Sequence, residues 1–151
     1  MKLKSLVGSG DKIALFTLPF LIIFVILNVL LPSLFSVGGP PTVFKVISIV
    51  VLIPGIIIWI WTAVLILLKV PREELIKNGP YSFVKHPLYT DVALLVLPWI
   101  GFLINTWVGV VIGIILYTAS RIFSPEEERT LSKTFGPAWD AYCNKVKIPW
   151  L

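Results

Sequence analysis

The 151 residues are 57% hydrophobic and only 14% charged, and thirteen Lys and Arg against eight Asp and Glu give a net charge of +5; mean hydropathy is +0.93. Soluble domains carry roughly one-quarter charged residues, so the composition excludes that class and indicates an integral membrane protein. The single cysteine, Cys143, excludes an intrachain disulfide or a cysteine-based metal cluster, and the single histidine, His86, argues against a zinc site.

No internal repeat, low-complexity tract or Ser/Gly linker interrupts the chain, so residues 1–151 are read as one domain. At the start, Lys2 and Lys4 imitate a charged leader. The uncharged run from Ile13 to Phe44 is too long for a signal-peptide core and has no small-x-small cleavage site, which predicts a retained anchor. A bilayer core takes about 20 apolar residues in helical form. The runs Ile13 to Phe44 and Val46 to Leu68 therefore each predict one spanning helix. Pro32 and Gly38-Gly39-Pro40-Pro41 should end the first and turn the chain, and Pro54-Gly55 should kink the second without breaking it.

The third run, Val92 to Ser120, fits either one tilted helix or a hairpin turning near Asn105-Thr106, and charge decides between them. Lys45 alone falls after the first span; the other basic residues lie in the N-terminal tail, the Lys69 to Lys85 connection and the tail from Arg121. Only a hairpin puts those three segments on one side, which the positive-inside rule makes cytoplasmic, together with both termini. The expected architecture is all-α with four hydrophobic helices. The third and fourth form a short hairpin whose arms, Val92 to Ile104 and Trp107 to Ser120, are ~20 Å long. Such arms should be buried against the first two helices or thin the bilayer locally. The same sorting accounts for the net charge without a nucleic acid, and the basic face can favour anionic lipid head groups.

Between the second and third helices, Pro71 is a helix stop and Asn78-Gly79-Pro80 a turn. Residues before proline leave the α region, so Gly79 and His86 are expected to be extended and the segment between them to form an irregular cytoplasmic strap. Its backbone groups need water, protein or a polar ligand as partners. As a plain interfacial loop, it would use Tyr81 and Tyr89 as headgroup-level anchors. After the last span, Ser124, Pro125 and Glu127 have the pattern of an N-cap, first-turn proline and capping-box acid, and Glu126-Glu127-Glu128 suits a helix N-terminus. Leu131, Phe135, Ala138 and Tyr142 continue at helical spacing, predicting an amphipathic C-terminal helix that bends at Gly136-Pro137. Cys143 has no neighbour in sequence that would activate it.

Gly79-Pro80-Tyr81, Lys85-His86-Pro87-Leu88-Tyr89, Glu127-Glu128 with Leu131, Phe135-Gly136 and Tyr142, and Val146 with Ile148-Pro149 together resemble the isoprenylcysteine carboxyl methyltransferases and the related phospholipid methyltransferases. The resemblance runs from about Leu75 to Pro149 and keeps two separated motifs in order and register. It implies S-adenosylmethionine as cofactor, released as S-adenosylhomocysteine, in a site spanning about residues 73–149. The matching cofactor positions are Leu75, Ile76, Tyr81, His86, Pro87, Leu88, Tyr89 and Glu127. Glu127 would pair with the cofactor's ammonium, His86 with its carboxylate, and Leu75, Ile76 and Leu88 would flank the adenine or ribose.

Methyl transfer from a sulfonium is an in-line displacement that needs alignment and exclusion of water, with no metal or covalent intermediate. A carboxylate acceptor is already ionised at neutral pH, whereas an amine needs a base, for which Glu128 and Tyr89 are candidates. The implied acceptor is a lipophilic or membrane-embedded molecule: an isoprenylcysteine-type carboxylate, a lipid amine or a small thiol. The chain departs from the family pattern at Lys85 (usually arginine), Asp91 (commonly glycine), Glu73 (histidine in eukaryotic members) and Phe123, which stands in the place of a substrate arginine. Arg121 is the nearest upstream base to replace that guanidinium. The alternative readings are an NADPH enzyme like the sterol reductases and a non-catalytic membrane scaffold of the same fold.

Overall fold

The computed structural model describes residues 9–39 and 41–151. The basic tail with Lys2 and Lys4, and Pro40 of the predicted turn, lie outside the described residues. The chain is helical. Helix α1 spans Gly10–Leu30, α2 is the single turn Pro32–Phe35, and α3 runs over Pro41–Lys69. After the strap come α4 (Pro87–Asp91), a π-helical segment Val92–Val96, α5 (Leu97–Leu103), α6 (Val108–Phe135) and α7 (Pro137–Cys143). Among the described residues the β geometry is an isolated bridge between Ser36 and Thr106.

Three of the expected four hydrophobic elements are long and apolar enough to cross a membrane: Gly10–Leu30, Thr42–Arg72 and Val108–Phe135. The remaining one, Pro87–Leu103, is a shorter apolar helix. Large apolar side chains are exposed around α1 and α3, among them Leu15, Ile26, Ile57 and Trp61, which is what a lipid-facing helix presents. Hydroxyls inside α3 are satisfied locally: Ser48 donates to the Phe44 carbonyl at 2.6 Å and Thr62 to that of Ile58 at 2.8 Å.

The hairpin turns where charge sorting placed it. Asn105 takes a left-handed φ of 60°, and the Thr106 N–H donates to the Gly101 carbonyl at 2.8 Å. The turn is stitched to the end of α1 and α2 by Thr106 Oγ1 donating to Asn28 Oδ1 at 2.8 Å and the Trp107 N–H donating to the Phe35 carbonyl at 3.0 Å. Phe35, Val108 and Ile112 form the buried cluster beneath it, with Phe24, Leu27 and Leu97 around them. The two arms approach to backbone distance. A Cβ on Gly109 would lie 2.0 Å from the Leu97 carbonyl oxygen, and one on Gly113 would lie 2.3 Å from that of Ala93.

Several sequence expectations are corrected. Lys45 lies inside α3, because that helix starts at Pro41, where a proline costs nothing at the first turn. The first hairpin arm starts at Pro87 rather than Val92. The second does not end at Ser120: α6 continues through Pro125 to Phe135, about 42 Å at 1.5 Å per residue. Ser124 is therefore a buried mid-helix residue rather than an N-cap, and the acidic triplet lies on a continuous helix. Packing outweighs the proline: α1 lies along α6, and its N-terminus holds the acidic segment through Ser9 and Lys12 on Glu127 and Glu126. Pro54 leaves α3 unbroken, as expected.

Gly109 and Gly113 make the hairpin crossing, so Gly113→Val should destabilise the protein by about 2–3 kcal/mol through forced separation of the arms. Lipid-facing Ile114→Val should leave stability nearly unchanged. Unfolding midpoints in mixed detergent micelles, followed by circular dichroism, measure both.

Candidate functional site

At the end opposite the hairpin turn, the chain leaves the helical path. Helix α3 gives way to a 3-10 turn, Val70–Arg72, that contains Pro71. Glu73 then turns left-handed at φ 57°, with its N–H on the Val70 carbonyl. The strap follows. Gly79 is not extended as expected but has φ +63°, and it opens a 3-10 turn, Gly79–Ser82. The Trp61 ring crowds this position, 3.0 Å from where a Cβ would stand, so both the conformation and the space call for glycine. His86 is non-helical and precedes Pro87, the first residue of α4.

The C-terminal segment fixes the strap from outside. Gly136, with φ +50°, ends α6 and lets α7 fold back, which is the bend expected at Gly136-Pro137. Trp139, Tyr142 and Val146 are buried together against Leu75, Leu131 and Phe135. The Tyr142 hydroxyl donates to the Tyr81 carbonyl at 2.8 Å, and the Ile148 N–H donates to the Phe83 carbonyl at 2.8 Å. Lys147 sits 4.4 Å from the centroid of the Phe83 ring, a cation–π contact.

Strap, α3 end, α6 and α7 border a first cavity with about 80 Å³ of free space inside it. Of the expected cofactor positions, Leu75, Ile76, Tyr81, His86, Leu88, Tyr89 and Glu127 line it. Pro87 does not; it is buried beneath the strap and faces a different cavity. The Ser9 hydroxyl donates to Glu127. Sequence reasoning overlooked Ser9 and Lys12, which no local pattern distinguishes. It also overlooked Ile66 and Val70, whose one-turn spacing before Leu75 is the only signal that they share a face.

Glu128 and Arg121 line a second cavity of about 170 Å³, next to the first. Lys85 and His86 border both. Glu128 accepts from Lys85 Nζ at 3.0 Å and lies 3.1 Å from His86 Nε2, so its carboxylate is occupied by two partners. Arg121 opens onto this cavity with Ser120 and Ser124, and the Ser124 hydroxyl is buried without a hydrogen-bond partner among the described residues. Phe123 faces away, its ring 5.9 Å from that of Phe16 on α1.

Burial raises the Tyr81 phenol well above its usual range, and the negative charge of Glu127 adds to this. Burial raises Tyr142 likewise and also the Cys143 thiol, which keeps the latter unreactive.

The family model of the isoprenylcysteine carboxyl methyltransferase (ICMT) family matches residues 43–133. Comparison with curated proteins and with solved structures gave no match.

Tyr142→Phe should cost about 1 kcal/mol and speed amide exchange at residues 82–84 relative to α1 and α3, as measured by hydrogen exchange. A tyrosine whose folded pKa is raised stays protonated while the unfolded chain ionises. Stability should therefore fall as pH rises above about 10. Tyr81→Phe should flatten that decline in alkaline unfolding curves.

Proposed function

The chain belongs to the isoprenylcysteine carboxyl methyltransferase family of membrane enzymes, and on that premise we propose that it transfers a methyl group from S-adenosylmethionine to a lipophilic acceptor at the cytoplasmic face. The observation that carries this reading is the first cavity. It combines the carboxylates of Glu127 and Glu74 and the polar edges of His86, Tyr81 and Tyr89 with the apolar Leu75, Ile76 and Leu88. That donor set fits a zwitterionic amino-acid end and a flat heterocycle in one enclosure. The cofactor supplies an electrophilic methyl on a sulfonium.

In this reading Glu127 takes the cofactor's ammonium, and the Ser9 hydroxyl on that carboxylate fixes its direction. His86, oriented by Glu128 at 3.1 Å, binds the cofactor's carboxylate. The apolar side chains and the strap exclude water, and the methyl points toward the second cavity, where the acceptor's polar end lies beside Arg121 and Lys85. Arg121 favours a carboxylate acceptor, which needs no base because it is already ionised at neutral pH. Glu128, whose pKa is held well below the usual carboxylate range by its hydrogen bonds to His86 and Lys85, is a poor base, and we assign it to positioning His86 and Lys85. Arg121 takes the place of the guanidinium that Phe123 lacks.

Saturable binding of S-adenosylhomocysteine, and no binding of NADPH, by calorimetry on the detergent-purified protein tests the cofactor. Glu127→Gln and His86→Ala should each weaken it at least tenfold with helical content unchanged. Unchanged affinity in both would discard the site, and NADPH binding would favour the reductase reading. Arg121→Gln should raise the acceptor KM without affecting S-adenosylhomocysteine affinity, measured by transfer of radiolabelled methyl into membrane extracts.

A further inference from the structure

Glu74 is a carboxylate of the first cavity to which the reading above gives no task. It belongs to the α3 side. Ile66, Val70 and Glu74 recur at every fourth position and all line the cavity, so one face of α3 is carried on past the end of the helix. The backbone makes this possible: Glu73 takes the left-handed turn at φ 57°, and the Glu74 N–H donates to the Lys69 carbonyl at 3.1 Å. Glu127 belongs to a different wall, on α6, where Ser9 holds it from the start of α1. The two carboxylates are also engaged differently. Glu127 accepts a hydrogen bond from that hydroxyl, whereas Glu74 faces Lys69 Nζ at 3.9 Å, an ion-pair distance too long for a hydrogen bond. Both Glu74 oxygens therefore keep their acceptor sites, and half exposure of the side chain lets it stay ionised while it waits for donors.

The inference rests on the methyl-transfer reading, in which Glu127 and His86 take the amino-acid end of the cofactor and Leu75 and Ile76 flank its nucleoside. Glu74 directly precedes those two apolar residues, and all three line the cavity, so it meets the nucleoside. A nucleoside offers a carboxylate two kinds of donor. The adenine amine stands between ring nitrogens that are acceptors, and these repel a negative oxygen. The ribose 2′ and 3′ hydroxyls are neighbouring donors whose spacing suits two parallel bonds to one carboxylate.

We propose that Glu74 binds the ribose diol of the cofactor and is a specificity-determining residue of the first cavity. It selects a nucleoside with both hydroxyls free. A nucleotide carrying a 2′-phosphate meets like charge there, the same discrimination that an acidic side chain makes in dinucleotide sites.

The test is calorimetric titration of the detergent-purified protein with S-adenosylhomocysteine and with its 2′,3′-dideoxy analogue. The wild type should bind the parent at least about tenfold more tightly than the analogue, the loss expected when hydrogen bonds to a charged group go unmade. Glu74→Ala should weaken the parent by a similar factor and leave the analogue unchanged, so that the two ligands bind alike. Lys69→Ala removes the same ion pair from its other side, and a partly exposed pair contributes little; it should leave both affinities nearly as they are. Equal binding of the two ligands by the wild type, equal weakening of both by Glu74→Ala, or a loss in Lys69→Ala as large as in Glu74→Ala would overturn the proposal while leaving the cofactor reading intact. A wild type that binds NADPH and not S-adenosylhomocysteine overturns both, and that result is read before any variant is made. The comparison of ligands on the wild type needs no substitution, so it decides even if Glu74→Ala does not fold.

Discussion

A backbone that leaves the helical path beside a bilayer must find partners for its N–H and C=O groups inside the protein. Here the strap finds them in the tail, through Ile148 on the Phe83 carbonyl and Tyr142 on the Tyr81 carbonyl. Those bonds form only because Gly136 turns α7 back toward the strap and because Trp139, Tyr142 and Val146 bury themselves against Leu75 and Leu131. The first cavity is the space this closure leaves. Its lining comes from the end of α3, the strap, α4 and α6, with Trp139 and Tyr142 of α7 on its outer side.

The two ends of the bundle divide the work. At the hairpin end, Gly109 and Gly113 bring the arms to backbone distance and Thr106 holds Asn28. The contacts there serve to fix the helices. At the strap end the titratable groups gather: Glu127 with Ser9, and Glu128 between Lys85 and His86. Glu128 lines the second cavity and bonds Lys85 and His86, the two residues that border both cavities. The π-helical segment Val92–Val96 lies between the two regions, just after Asp91, and such wide turns often mark functional positions.

Much of this was legible in the sequence for physical reasons. The apolar runs announced the long helices, and the distribution of Lys and Arg selected the hairpin at Asn105-Thr106 over a single helix. The family resemblance, rather than spacing, named seven of the residues that line the first cavity. What the sequence did not reveal came from tertiary contact. The pattern Ser124-Pro125-x-Glu127 is a sound local start signal, but docking of α1 against the acidic triplet carries α6 straight through it. Gly79 before a proline reads as extended until Trp61 occupies the space beside it. Ser9 and Lys12 have no local pattern at all; only the packing of α1 on α6 brings them to residues more than a hundred positions away.

That last contact links the beginning of the chain to its final long helix. Ser9 precedes the first span, whereas Glu127 enters the membrane system only after every other long helix has been made. The carboxylate on which the cavity's polarity depends is therefore oriented last, by a hydroxyl that has been waiting since the first. A ligand held by Glu127 would act as a latch between the opening and closing segments of the bundle, its binding energy shared with helix association. Occupancy of the pocket and integrity of the membrane body would then be one equilibrium, in which loosening α1 from α6 would empty the site and filling it would draw the bundle shut.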